Sequence, residues 1–433
     1  MRLIEQFIAT NVKPTLGCTE PIAVALASAY ARSVVDGDIR KIEVLVDPNI
    51  FKNGMGAGIP KSEGKIGNIH AAALGAICGD PSRCLEVLDA VNEEATAKAD
   101  ELIKRNGVVI EVLRGRSGIF IDARVITSQG LGRARIEGTH TNLTVLERNG
   151  ENALDDMAKK SEDEAKAKMF KGVKFAQLVD EAASITEEEV EIILAAVAKN
   201  EAAAEFGLAN ECGLGVGLAF RKAVDEGLLG NDAANEAKIL TAAAVDARMG
   251  GAPVGIMAVA GSGNQGIATT LPILAFCRNQ GIDDARKRAE ATALAFLVTG
   301  YIKEHIGSLG ALCGCVMAAA SGSAAGIARL MGGDVSSCAR AVTNVLADLA
   351  GVICDGAKGG CALKLATAAN AAVQAAVLAK EGLRVTAQDG IIDNEIENTV
   401  ENLGQLSNPG MTTTDEVILD IMTDKLKRGT YVC

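Results

Sequence analysis

Residues 312–330, LCGCVMAAASGSAAGIARL, combine a Cys-Gly-Cys pair with a long run of alanine, glycine and serine. No acidic or basic residue occurs from Ile306 to Ala328. Side chains this small let buried helices approach one another closely, so we predict an interior helix over Leu312–Leu330. An aromatic content of only 3% fits the same close packing.

The chain after Val173 shows helical spacing of apolar residues in almost every segment, and strand signals are sparse there. This part predicts an all-α domain that contains the late cysteines. Besides the cysteine-bearing helix, the predicted helices are Glu187–Ala198, Glu211–Ala223, Asp232–Met249, Ala285–Tyr301, Ser336–Leu349 and Lys364–Lys380.

The N-terminal part has a mixed pattern. An alternating, β-branched strand is predicted at Lys41–Val46, and four short runs between Val108 and Leu146 predict an antiparallel meander. The predicted fold class is α+β, with a small antiparallel sheet and helices at residues 1–170 and an all-α domain at residues 171–433. The dense charges of Asp155–Lys168 are typical of a linker or a solvated helix. The predicted N-terminal helices are Leu3–Val12, Ile22–Val35, His70–Ile77 and Cys84–Arg105.

Composition narrows the class of protein. A length of 433 residues with 48% hydrophobic content describes a globular protein. The net charge of −12, without clustered lysine and arginine, excludes a broad nucleic-acid surface and leaves small metabolites as partners. Glu5 interrupts the first apolar turn, so we expect no signal peptide and a cytoplasmic location. The charge-free stretches Met249–Cys277 and Ile306–Ala328 are glycine-rich, so no membrane span is expected, although such helices could pack subunits into a homo-oligomer.

Eleven cysteines in a chain without a secretory signal indicate a thiolate function, because a reducing compartment does not keep disulfides. Cys354 and Cys361 flank a glycine-rich loop, CDGAKGGC, that can turn both thiolates inward. Residues two apart in a helix point roughly 200° from each other, so only one of Cys313 and Cys315 can face the same site. Three thiolates would hold an iron–sulfur cluster with one iron free. Zinc is the rival metal, but the chain has only three histidines and no CxxC motif.

Cys18 stands apart from the other cysteines, in the turn Gly17-Cys-Thr-Glu-Pro21. It would lie at the start of a helix, where unpaired N–H groups lower the pKa of a thiol. Such a thiol can do chemistry beside a cluster.

Two glycine-rich segments are candidate substrate sites. Residues 49–61 are too rich in glycine for a regular element, and their free N–H groups, with Asn53 and Lys61, could bind a carboxylate. Residues 261–266, GSGNQG, could contact a substrate through Asn264, but lack the Gly-Lys-Ser/Thr of a P-loop. A tightly packed turn is the alternative for residues 49–61, and nucleotide binding is the alternative for residues 261–266. His140 and His305 are further candidates.

Three segments resemble the L-cysteine desulfidase family: residues 17–21 (GCTEP), 308–320 (SLGALCGCVMAAA) and 353–361 (ICDGAKGGC). The resemblance covers essentially the whole chain, and the first and third motifs are specific. The family is allied to the oxygen-labile iron–sulfur L-serine dehydratases. The resemblance implies a [4Fe–4S] enzyme that converts L-cysteine to pyruvate, ammonia and sulfide without pyridoxal phosphate.

The resemblance also implies roles for single residues. Cys18 would be the base that takes the α-proton, and Cys354 and Cys361 would be cluster ligands. The segment Cys-Val-Met-Ala-Ala-Ala is similar to Cys-Ser-Met-Ala-Ala-Ala of the serine dehydratases, which favours Cys315 as the third ligand, with Cys313 left open. Those enzymes also carry a cysteine near the C-terminus, where this chain has Cys433, for which an idle thiol is the alternative. The alternative functions are an iron–sulfur L-serine dehydratase and a non-catalytic iron–sulfur redox sensor.

Overall fold

The computed structural model describes residues 2–116, 118–154, 168–307 and 309–428. The strands are β1 (Val12–Leu16), β2 (Ile39–Val46), β3 (Val108–Val112), β4 (Phe120–Thr127), β5 (Leu131–Glu137), β6 (Leu143–Arg148), β7 (Glu151–Asn152) and β8 (Gly255–Val259). The helices are α1 (Leu3–Asn11), α2 (Thr19–Ser33), α3 (Pro48–Gly54), α4 (Gly67–Cys78), α5 (Glu93–Lys104), α6 (Phe175–Ala183), α7 (Glu187–Ala209), α8 (Val216–Asp225), α9 (Ala233–Met249), α10 (Gly263–Gln280), α11 (Ala285–Ile306), α12 (Ala320–Leu330), α13 (Val335–Leu349), α14 (Cys361–Lys380), α15 (Ile396–Gln405) and α16 (Thr412–Lys427).

The larger sheet lies in the N-terminal part and has the strand order β3-β2-β4-β5-β6-β7. All of its neighbouring pairs are antiparallel except one. Strand β3 pairs parallel with β2, with Ile42 opposite Val108. The predicted meander is therefore wrong for its first run, because a long helical crossover separates β2 from β3 and allows a parallel pairing. Helix α2 packs against β4 and β5, and α4 packs against α2.

The C-terminal part is helical apart from β8, and the predicted α+β class is confirmed. Helix α9 packs against α7, α8, α10 and α14. Glycine permits these close approaches: a Cβ on Gly207 of α7 would lie 2.1 Å from the carbonyl oxygen of Ala243 in α9. Helix α14 is long and apolar enough to cross a membrane by length and composition, but more than half of its apolar window is buried, and core helices meet the same criterion.

Three elements, α1, β1 and α16, connect the N-terminal part of the chain to the helical C-terminal part. Strand β1 pairs antiparallel with β8, with Val12 opposite Val259, and α1 packs against α11. Helix α16 returns to the N-terminal part, where its Ile418 and Leu419 are buried with residues of α2 and α4. The boundary at residue 170 stays a prediction, and the predicted linker lies, except for Lys168, outside the described residues.

Two elements near the cysteines differ from the prediction. The first six residues of the glycine-rich segment 49–61 are helical, in α3, because Asp47 caps the helix through the N–H groups of Asn49 and Ile50 and Pro48 takes the first position.

The cysteine-bearing helix begins at Gly314 rather than at Leu312. Leu312 forms a β-bridge with Ile353, and the N–H of Cys313 donates to the carbonyl oxygen of Val352 at 3.0 Å. A π-helical turn, Cys315–Ala319, then leads into α12. Cys313 precedes the helix, so the opposed directions expected of two helical residues do not apply to the cysteine pair.

Candidate active site

Cys18 stands at the N-cap of α2, as the sequence predicts, and is only 2% exposed. Its thiol donates a hydrogen bond to Glu20 Oε2 at 3.1 Å. Glu20 Oε1 accepts a hydrogen bond from Asn53 Nδ2, also at 3.1 Å. The thiol of Cys354 donates to Asn53 Oδ1 at 4.0 Å. One hydrogen-bonded chain therefore joins Cys18 to Cys354, and the amide of Asn53 is its middle link.

The predicted lowering of the Cys18 pKa is wrong. Burial, and then the negative charge of Glu20, raise the pKa of the thiol well above its ordinary value, and the positive charge of Arg248 only partly opposes them. Burial also works to raise the pKa of Glu20, but His140, the hydrogen bond from Cys18 and Arg248 outweigh it and lower this pKa. The resting pair is thus a neutral thiol beside a carboxylate.

The structure brings Cys313, Cys315, Cys354 and Cys361 together. The Leu312–Ile353 bridge aligns residues 311–313 with 352–354, so that Cys313 lies within hydrogen-bonding reach of both Cys315 and Cys354. Cys361 is the first residue of α14 and interacts electrostatically with Cys354 and Cys313.

The thiols of Cys313 and Cys354 resist ionisation in the absence of a cation. The hydrogen bond with Cys315 is the largest cause that raises the pKa of Cys313 to about 12, and burial adds to it. The hydrogen bond with Cys313, followed by burial, raises the pKa of Cys354. A bound metal reverses this preference, because its positive charge favours the thiolate form.

The loop between Cys354 and Cys361 is fixed by ion pairs of Asp355 and by packing of Gly356 against α3. Asp355 forms ion pairs with Lys358 and, at 2.5 Å, with Lys364 of α14. Burial alone would raise the pKa of Asp355, but the hydrogen bonds from the two lysines lower it to about 2. Gly356 has a φ of +102°, and a Cβ there would lie 2.3 Å from the carbonyl oxygen of Lys52. The loop therefore packs directly against α3.

A buried arginine, Arg248 of α9, reaches the same region and was missed from the sequence. It is 3% exposed, and its Nη1 donates to Oδ1 of Asn264 at 2.9 Å. Its Nε and Nη2 atoms are buried and have no hydrogen-bond partner in the part of the chain that the structure describes. Asn264, a predicted substrate residue, lies in the first turn of α10 and orients Arg248. The available signal was a pair of charged residues, Asp246 and Arg248, directly after the largely apolar run Ile239–Val245 of α9.

Two further polar side chains, Ser262 and Lys303, border the cysteines. Ser262 Oγ, just before α10, lies 3.6 Å from Cys315 Sγ. Lys303 of α11 is close enough that a Cβ on Gly314 would lie 2.9 Å from its Nζ. Burial lowers the pKa of Lys303, and the nearby thiols of Cys315 and Cys354 work in the opposite direction.

The two candidate histidines lie in different settings. His140, in the turn between β5 and β6, interacts electrostatically with Glu20, and its Nε2 is buried without a hydrogen-bond partner among the described residues. Burial lowers the pKa of His140, and the charge of Glu20 works against that. The ring of His305 instead makes a hydrogen bond through Nδ1 with the carbonyl oxygen of Tyr301 at 2.8 Å.

Two further sequence candidates lie elsewhere. Lys61 forms an exposed ion pair with Asp89 at 2.5 Å, and the structure does not bring it to the cysteines through any contact. Cys433 lies outside the described residues. The functional roles of all these residues stay predictions.

The donor set indicates which kind of metal group the site fits. In the described residues, no three His, Cys, Asp or Glu side chains converge on one point as a single-ion site requires. In a cluster each thiolate binds a different iron, so the sulfur donors need not converge. Thiols on a glycine-rich loop and at the start of two helices are the type of ligand that iron–sulfur clusters take, so the residues present fit such a group.

Comparison with known proteins places the chain in a family. The family model described as serine dehydratase alpha chain matches residues 82–420. The chain is 41% identical to a UPF0597 protein of Clostridioides difficile over 98% of its own length and 99% of that protein. It is also 41% identical to a UPF0597 protein of Desulfatibacillum aliphaticivorans, over 98% of each chain, and 38% identical to one of Alkaliphilus oremlandii, over 97% of each. The chain belongs to the serine dehydratase alpha chain family, a family of iron–sulfur-dependent lyases.

Proposed function

We propose that this chain is an L-cysteine desulfidase, which eliminates sulfide from L-cysteine to give pyruvate and ammonia with the help of a [4Fe–4S] cluster. The observation that carries the proposal is the hydrogen-bonded chain Cys18–Glu20–Asn53–Cys354. It joins a candidate base to a candidate cluster ligand within one buried region. A cytoplasmic location, a small amino-acid substrate and a homo-oligomeric state are parts of the same proposal.

Three thiols would hold the cluster: Cys354, Cys361 and Cys315, with Cys313 as the alternative third ligand because it lies within hydrogen-bonding reach of both Cys315 and Cys354. When bound, a cluster with three protein ligands supplies a Lewis-acidic iron that can accept the sulfur of the substrate. Burial of Cys18 and Glu20 strengthens the electrostatic interaction between them.

Cys18 and Glu20 would handle the proton. The thiol proton of Cys18 lies on a hydrogen bond to Glu20 Oε2, so it would leave by way of this carboxylate, and the thiolate that results would take the proton on Cα. Asn53 keeps the carboxylate oriented through its other oxygen.

The chemical balance of the elimination is simple. Cα–H loses its proton to the Cys18 sulfur, the Cβ–S bond breaks with its electron pair on sulfur, and sulfide leaves. The remaining 2-aminoacrylate tautomerises to an imine, which water hydrolyses to pyruvate and ammonia. No external oxidant or reductant is needed.

The second candidate function is dehydration of L-serine, and the name of the matching family favours it. Hydroxide and sulfide are leaving groups from the same carbon, so the same residues would serve both reactions. A non-catalytic redox sensor would need a fourth protein ligand on the cluster.

Anaerobic purification, iron and sulfide analysis, and a pyruvate assay with both amino acids test the proposal. We expect Cys18→Ala to keep the cluster absorbance and lose turnover, and Cys354→Ala to lose both. Cys338→Ala is the control, because this buried cysteine of α13 interacts with Arg329 and Asp334 rather than with the site thiols. In the same assay, Cys315→Ser should lose iron and Cys313→Ser should keep it. Full activity in cluster-free protein, or in Cys18→Ala, would contradict the mechanism.

A further inference from the structure

We propose that Arg248 binds the carboxylate group of the substrate, through a side-on pair of hydrogen bonds from Nε and Nη2. The identity of the substrate rests on the proposed function above. The inference adds the residue that selects an amino acid over an amine.

The first support is the pair of unsatisfied donors. A guanidinium is always charged, and burying it without an acceptor is strongly unfavourable. Arg248 is 3% exposed, yet Nε and Nη2 have no hydrogen-bond partner among the described residues. Glu20 does not fill this role, because its oxygens accept from Cys18, Thr19 and Asn53. An anionic ligand would supply the missing acceptors.

The second support is the shape of the free edge. Nε–H and Nη2–H point from one side of the planar guanidinium, with the spacing that a carboxylate accepts in a bidentate pair. Asn264 holds the opposite side through Nη1 at 2.9 Å, which fixes the direction of the free edge. A Cβ on Gly263 would lie 2.6 Å from Nε and 2.9 Å from Cζ, so only glycine leaves room for the guanidinium.

The third support is the position between the base and the thiols. Ser262, next to Gly263 in the chain, lies 3.6 Å from Cys315 through its hydroxyl. On the other side, the charge of Arg248 acts on both Cys18 and Glu20. A carboxylate held by Arg248 would leave Cα beside Cys18 and direct Cβ and its sulfur toward the cysteine loop.

Two small thiols serve as binding probes that distinguish recognition of the carboxylate from recognition of the rest of the substrate. 3-Mercaptopropionate keeps the thiol and the carboxylate of cysteine and lacks the amino group, whereas cysteamine keeps the thiol and the amino group and lacks the carboxylate. Their affinities are measured by calorimetry under anaerobic conditions on the iron-loaded enzyme and on Arg248→Met and Arg248→Lys. Arg288→Met is the matched control, because Arg288 of α11 also has a buried Nε without a partner among the described residues but lines a separate cavity with Cys277.

We expect Arg248→Met to weaken 3-mercaptopropionate roughly 10- to 100-fold, the range for a charged hydrogen-bonded pair, and to change the affinity for cysteamine by less than about threefold. Arg248→Lys keeps the positive charge but lacks the two parallel N–H donors, so its affinity for 3-mercaptopropionate should lie between that of the wild type and that of Arg248→Met. Arg288→Met should match the wild type. If Arg248→Met does not fold, as judged by circular dichroism, Arg248→Lys alone makes the comparison.

Unchanged binding of 3-mercaptopropionate by the Arg248 variants would overturn the inference, as would an equal loss of affinity for both probes or a wild-type enzyme that does not bind 3-mercaptopropionate. The proposed function fails separately, if the iron-loaded wild type releases no sulfide from L-cysteine. Arg248-dependent binding of 3-mercaptopropionate would still support the carboxylate site in that case.

Discussion

Glu20 governs how the Cys18 thiol can act as a base. The carboxylate accepts the thiol proton in a hydrogen bond at 3.1 Å, and its negative charge disfavours a second negative charge on the sulfur. Arg248 opposes this effect from the other side. The reactivity of Cys18 therefore depends on the balance between one fixed anion and one fixed cation.

We expect Glu20→Gln to move the ascending limb of the kcat/KM profile, where the rate increases with pH, to lower pH. The pKa of Cys18 is raised in the wild type, so thiolate and rate increase as pH rises; removing the carboxylate charge lowers this pKa and brings the limb toward neutrality. The profile is measured with L-cysteine from neutral to alkaline pH. Glu20→Asp, which keeps the charge, is the control, and a limb that stays in place would show that Glu20 does not set the pKa of the base.

Single residues were predictable where a local motif carried them. The GCTEP turn located Cys18 at the N-cap of α2, but the direction of its pKa shift depends on burial and on where the Glu20 side chain points, which the motif does not specify. Arg248 was missed because buried donors without an acceptor can be recognised only in the three-dimensional structure, and Arg248 has two of them among the described residues.

Gly356 determines how closely the cysteine loop can approach α3. Its positive φ, and the 2.3 Å that would separate an added Cβ from the Lys52 carbonyl oxygen, both exclude a larger residue. The loop in turn positions Cys354 and Cys361 at its two ends.

We expect Gly356→Ala to lower iron retention sharply while the protein stays folded. The added methyl group must displace the loop from α3, and with it the thiols at both ends. Gly382→Ala is the matched control, because Gly382 also has a positive φ, +81°, but has nothing within 4 Å of the added Cβ. Iron per chain after gel filtration is the measurement. Equal iron content in the two variants would mean that backbone strain, rather than contact with α3, is the cause of any loss.

Elements were predictable where their signals were local. Helix α3 could have been found from Asp47-Pro48, an N-cap residue followed by proline at the first helical position. Two other features could not be predicted from local sequence, because each depends on a distant segment. The cysteine-bearing helix begins at Gly314 because the preceding residues pair with the segment around Ile353, and β3 is parallel because it pairs with β2 at Ile42.

The candidate site lies where the two hydrophobic cores of the molecule meet. Helix α3 belongs to the N-terminal core through Ile50, and the cysteines belong to the helical core. Lys52 of α3, with a side chain 2% exposed, forms an ion pair with Asp415 of α16 and donates to the carbonyl oxygen of Gly310 at 3.2 Å. Helix α16 thus stabilises the contact between the two cores.

We expect Asp415→Asn to lower the free energy of unfolding by about 1–3 kcal/mol, because it leaves a buried ammonium without its charged partner. Denaturant unfolding of the purified protein measures the change. Asp420→Asn is the control on the same helix: its pair with Arg114 is more than half exposed on both sides and should contribute less than about 1 kcal/mol. A similar loss in both variants would contradict a special role for Asp415.

The pairing of β1 with β8 has a consequence for biosynthesis. Val12 leaves the ribosome long before Val259, and at ordinary rates of translation the first strand waits on the order of ten seconds or more for its partner. The N-terminal core waits longer still for α16, which follows β8 in the chain by more than 150 residues. The junction between the two cores is therefore completed only after α16 has been synthesised, so we expect the candidate site to form late in folding.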